Sequence, residues 1–181
     1  MAAGSFDPMH AVRFDLSSGS VRTRGDRVVL VPATALDDIA LSAPAEAVEA
    51  LGQAIGSAIG RRAASRMGDP QNASVEAFVT QLSGEAALAG VGMLSVERWG
   101  RALVVLIEDS ALPRSMLGPL IRSAIEVACD RRVWCAPLSS DERTSRVFVG
   151  SELGVGRVRE WIASGLSWSE ALVKLHGGRS S

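Results

Sequence analysis

Tyrosine is absent from this chain, and lysine occurs once, at Lys174. Basic charge rests on 18 arginines, a bias shared with abundant alanine, glycine and valine, so a lone arginine carries little weight as a functional signal. There are two cysteines, Cys129 and Cys135, too few for a secreted disulfide framework. The two histidines, His10 and His176, fall in expected tails. A metal site needs three or four converging ligands, so none is expected. The best apolar run, Ala102–Ile107, has six residues. That is far short of the ~20 needed to cross a bilayer, and no membrane span is expected. A net charge of −1 provides no general pull on nucleic acid or anionic membranes. Arg61-Arg62 and Arg131-Arg132 are too short for a nucleic-acid patch. Residues 1–10 carry Asp7 and no apolar core of a secretory signal, so a cytoplasmic setting is expected.

What is present is a large apolar inventory. Of 181 residues, 47% are hydrophobic, and a chain this long buries roughly 70% of its unfolded surface. The pattern reads as one domain over residues 11–176, with flexible tails at 1–10 and 177–181. Ser17-Ser18-Gly19 sits between two β-rich stretches as a hairpin turn, and Arg27–Val31 is a short strand stopped by Pro32. A short helix is expected at Thr34–Leu41. Val48, Leu51, Ile55 and Ile59 then recur at helical spacing in a long helix ending near Gly68.

A second amphipathic helix carries Val75, Phe78, Leu82 and Ala86 and stops at Gly90. Strands follow at Val91–Glu97 and Ala102–Glu108; the latter is apolar on both faces and belongs in a sheet centre. Gly118-Pro119 reads as a helix start with proline at the first position. Two more strands, Arg132–Leu138 and Arg146–Val149, precede two terminal helices. Ser167-Trp168-Ser169-Glu170 is a capping box for the last of them. The order predicts an α+β fold: an antiparallel sheet of about four strands, helices packed on one side, and a short N-terminal hairpin.

The most specific local feature is Gly52, Gly56 and Gly60, three glycines at i, i+4 and i+8 on one helix. Together they cost roughly 3 kcal/mol of helix propensity, so a close approach must offset them. An internal helix crossing, a helix of a partner subunit and the wall of a ligand site all meet that need; a dimer interface is the expectation taken forward. Phe78, Leu82, Leu120, Ile121 and Trp134 are the candidate lining of an apolar ligand pocket. Trp99, in a turn, is a candidate partner contact. Cys129 and Cys135 read as buried, inert thiols. The acids Glu108-Asp109 and Asp141-Glu142 read as solvated loop charge. Gly150–Gly156 has neither phosphate-loop nor dinucleotide spacing.

Taken in order, the long helix with Leu51-Gly52-x-x-x-Gly56, the Trp99-Gly100 hairpin turn and the terminal Glu160-Trp161-Ile162-x-x-Gly165-x-x-x-x-Glu170-Ala171-Leu172 resemble the 4-vinyl reductase domain family over Arg27 to Leu175. That family shares its fold with core subunits of the TRAPP vesicle-tethering complex. The resemblance implies an α+β domain that dimerises through helices and holds a hydrocarbon-like or acyl ligand between sheet and helices. Bacterial members often carry two cysteines close together near the last strands. Leu138 to Arg146 has none, so no family thiol or metal site carries over.

The function expected from these features is a non-catalytic, homodimerising module that binds a protein partner and a hydrophobic small molecule. It would act as a sensor, scaffold or regulator. No catalytic residue and no cofactor is assigned. Two other readings stay open: a small reductase or pigment-pathway enzyme, and a regulator of a small GTPase by TRAPP analogy.

Overall fold

A computed structural model describes residues 8–9, 11–67, 75–100, 102–141 and 143–177. The N-terminal strands β1 (Val12–Asp15), β2 (Ser20–Thr23) and β3 (Asp26–Val28) form a small antiparallel sheet. The expected hairpin is its first half. Gly19 turns β1 into β2 at φ +57°, and Asp15 accepts hydrogen bonds from Ser17 and Ser18 across the bend. Helix α1 (Ala33–Ser42) follows and buries none of its residues.

The main body is a four-stranded antiparallel sheet in the order β4-β5-β7-β6. Its strands are β4 (Met93–Trp99), β5 (Ala102–Glu108), β6 (Trp134–Ser140) and β7 (Thr144–Gly150). Central β5 alternates between two cores. Val105 and Ile107 face a layer made by α2 (Ala45–Met67), α3 (Val75–Leu88) and α4 (Arg114–Cys129). Ala102, Val104 and Leu106 face α5 (Glu152–Ala163) and α6 (Trp168–Gly177) on the other side. The α+β class and the four-stranded sheet therefore hold, but helices cover both faces rather than one. The physical reason lies in β5 and β7, whose two faces are both apolar: each needs a cover.

Helix α4 differs from expectation at its start. It begins four residues before Gly118, directly after Pro113, and Pro119 lies inside it. Burial of Met116 and Leu117 in the extra turn stabilises that earlier start. The capping box forms as read: Glu170 N–H donates to Ser167 Oγ at 3.3 Å, and Ser167 N–H donates to the Glu170 carboxylate at 2.9 Å. Most of both expected tails falls outside the described residues. No helix among the described residues is long and apolar enough to cross a membrane.

Candidate functional site

The glycine stripe has an occupant within its own chain. A Cβ added at Gly52 would lie 2.7 Å from the carbonyl oxygen of Met116. At Gly56 and Gly60 it would press still closer on the carbonyls of Leu120 and Ala124. Both series step by four and rise together, so α2 and α4 run in the same direction, backbone on backbone. A Ser57–Ser123 hydroxyl pair at 2.6 Å lies alongside. This corrects the assignment of Gly52, Gly56 and Gly60 to a dimer interface: the closeness they permit is consumed by α4.

Between α3 and the sheet lies a wholly apolar cavity of about 30 Å³. Phe78, Val79, Leu82, Leu94, Val96, Leu103, Val105 and Ile125 line it. The expected pocket residues divide. Phe78 and Leu82 stand on its wall, while Leu120 and Ile121 are fully buried in the adjoining core. Leu120 is spent on the α2 contact. Trp134 is also displaced from the expected group: it packs against the core on the opposite sheet face.

Trp134 borders a second, larger opening of about 650 Å³, an open cleft walled by α2, α4, β6 and α5. Glu49, Gln53, Arg114, Ser115, Gly118, Pro119, Arg122, Trp134, Cys135, Pro137, Arg159, Ile162 and Ala163 line it. The cavity and the cleft share no residue. Each arginine is held by one contact. Arg159 donates to the Cys135 carbonyl at 2.7 Å, Arg122 Nε to Glu126 Oε1 at 3.2 Å, and Arg114 to the Asp141 carbonyl. Burial pushes the Cys135 thiol up to about 12, with Arg122 and Arg159 pulling down and Glu126 pushing up. Cys129 is raised by burial too. Both thiols stay protonated at neutral pH, in keeping with the inert reading.

Sequence reasoning missed one buried group altogether. Glu85, on α3, is fully buried and meets three arginines: Arg24 at 2.9 Å, Arg62 at 3.0 Å and Arg66 at 3.3 Å. Arg24 lies in the β2–β3 turn at φ +53°. The cluster ties the N-terminal sheet and α2 to the helix that roofs the apolar cavity. Its signal was an acid three residues after Leu82, in register with the apolar stripe of α3.

Trp99 does not project from its turn. It is half-buried on the second sheet face, edge-on to Trp168 at 5.1 Å, with its indole N–H donated to Glu97 at 3.1 Å. Asp109 forms an exposed pair with Arg143, and Glu142 lies outside the described residues. So do His10 and the side chain of His176. Among the described residues, no three His, Cys, Asp or Glu side chains converge as a metal site would require.

No family model matches the chain, and no curated protein sequence does. Solved structures do match. One is the phenol-responsive sensory domain of the transcription activator PoxR, determined with phenol. It aligns over 92% of both chains at 13% identity, with a TM-score of 0.59. At that identity the likeness establishes a shared fold: the chain has the architecture of that sensory domain, with an N-terminal sheet, a helical layer and a four-stranded antiparallel sheet.

Proposed function

We propose that this chain is a sensory module that takes a small apolar molecule between α3 and the sheet and passes the event to a protein partner. The observation that carries the reading is the wholly apolar cavity beneath Phe78 and Leu82. It sits in a fold that, in the PoxR domain, responds to phenol. This reading keeps the resemblance to 4-vinyl reductase domains as its family context. It favours a compact ligand over a long acyl chain, because about 30 Å³ is room for little more than water. A cavity of about 150 Å³ is the scale that accepts benzene, so entry of a ring requires α3 to move outward.

Burying a ring of ~150–250 Å² at ~25 cal/mol per Å² supplies about 4–6 kcal/mol before association costs. That movement has a readout built into it. Glu85 rides on α3 and holds Arg24 of the N-terminal sheet, so displacement of α3 loads that sheet. Homodimerisation belongs to the same reading, with its surface moved from the glycine stripe to the N-terminal unit. There Leu16, Val29 and Leu41 are 93%, 82% and 87% exposed, and Phe14, Leu30 and Val31 join them. At about 60–120 Å² per side chain, these six supply at most about 360–720 Å², a part of the ~800 Å² that each partner in a stable pair buries.

Titration with phenol, followed by NMR, tests the ligand site. Saturating shifts at Phe78, Leu82 and Ile125, lost in Val79→Phe while the fold is kept, support it. Absence of saturable shifts, or unaltered binding in Val79→Phe, refutes it. Light scattering of Leu30→Asp tests the pairing surface, a halved mass being the expected result.

A further inference from the structure

The cleft on the far side of α4 is built from different chemistry and calls for a different ligand. Its lining holds three arginines and one glutamate, Glu49. Glu126 and the Asp141 carbonyl hold Arg122 and Arg114 without lining the cleft themselves. A guanidinium carries five N–H donors. Each of these three spends one on the contact described above, which fixes its plane and leaves the remaining donors to be directed elsewhere. Arg122 from α4 and Arg159 from α5 line the cleft together with Cys135, whose carbonyl accepts from Arg159.

Beside the arginines the lining is largely apolar: Trp134 and Pro137 on β6, Pro119 on α4, and Ile162 and Ala163 on α5. Two features of α4 shape its side of the cleft. A side chain at Gly118 would meet nothing within 4 Å, so the helix surface is bare there. Pro119 has no N–H, so the Ser115 carbonyl loses its usual helical donor. The volume, about 650 Å³, falls within the range of small-molecule sites.

We infer that this cleft binds a small organic oxyanion, its carboxylate or phosphate on the Arg122 and Arg159 guanidinium groups and its apolar body against Trp134 and Ile162. Planar forks of this kind match the paired oxygens of both groups, whereas an ammonium would supply only a point charge. Neutral analogues lose the arginine contacts, and bare inorganic anions lose the apolar wall. The site is independent of the apolar cavity, since the two share no wall residue.

The test titrates the full chain with benzoate, phenyl phosphate, benzyl alcohol and inorganic phosphate, read by amide NMR shifts and calorimetry. Saturating shifts at Ser115, Gly118, Trp134 and Ala163 are expected with benzoate or phenyl phosphate, weakening as salt is raised. Replacing either arginine, by Arg122→Gln or Arg159→Gln, should reduce affinity about tenfold or more. Arg159→Lys should restore only part of it. Where Arg159→Gln fails to fold, as judged by circular dichroism, Arg122→Gln carries the test.

Val79→Phe, which fills the apolar cavity, should leave oxyanion binding unchanged. Failure of the parent chain to bind phenol, with benzoate or phenyl phosphate still saturating, therefore defeats the sensory reading and leaves this one standing. Failure of both organic anions to saturate by about 10 mM overturns the inference. So does equal binding of benzyl alcohol, unaltered binding in the glutamine variants, or equal binding of inorganic phosphate, which would mark an adventitious ion only.

Discussion

Glycine substitutions in two helices should move stability in opposite directions. Gly56 lies in α2 and Gly156 in α5. In a bare helix each Gly→Ala change gains about 1 kcal/mol. At Gly156 a new Cβ meets nothing within 4 Å, so Gly156→Ala should realise that gain and raise Tm by about 2–4 °C. At Gly56 the new methyl runs into the Leu120 carbonyl, carbon and Cα, backbone atoms that cannot rotate aside. Forcing α4 away costs about 1–3 kcal/mol or more in overpacking, and it also loosens the Gly52–Met116 and Gly60–Ala124 contacts. Because the clash is with backbone, the upper end of that range applies: net destabilisation of about 2 kcal/mol remains after the helical gain, so the two variants should differ by about 3 kcal/mol. Urea unfolding with a shared m-value measures it. The reasoning is refuted if Gly56→Ala is as stable as the parent, or if it stays fully stable while its mass by light scattering drops.

Four other outcomes rest on charge or ionisation. Glu85→Gln should cost about 3–5 kcal/mol, because three arginines lose a fully buried counter-ion, and hydrogen exchange should show the N-terminal sheet opening first. Arg24→Gln should loosen that sheet while sparing the α2–α3 contact. Hydrogen bonds from Ser17 and Ser18 hold the Asp15 carboxyl down at about 2 against the usual 3.8. Its support of the β1–β2 turn is therefore complete above the ordinary value and lost as pH falls toward about 2, which protection of the Ser17 and Ser18 amides will follow. Thiol reagents at mildly alkaline pH should modify half-buried Cys129 before Cys135, whose ionisation is pushed up to about 12; faster reaction at Cys135 would contradict its burial.

How far the sequence could be read depends on how local each feature is. Strand β5 is bounded as expected, and the capping box forms, because each rests on residues within one element. The second helical layer was hidden, although Trp161, Trp168 and Leu172 announced apolar stripes. Helical spacing says that a stripe must be covered, not which sheet face it covers. The same gap explains the glycines. Their spacing required a close neighbour, but only the fold shows that Met116, Leu120 and Ala124 supply it, more than sixty residues away. Of the expected pocket residues, only the α3 pair Phe78 and Leu82 lies on the cavity wall. Arg114, Arg122 and Arg159 carried no signal in a chain with 18 arginines. Their meaning lies in convergence from α4 and α5, which no local window contains.

Toothed packing of α2 on α4 also restricts how this molecule can move. Three glycine notches engage three successive turns, so a small slide would drive side chains of one helix into the backbone of the other. Longitudinal travel is confined to whole-turn steps of ~5.4 Å, and half-steps are blocked. The pair therefore behaves as a locked ratchet, a fixed frame to which α3 is moored through Glu85, Arg62 and Arg66.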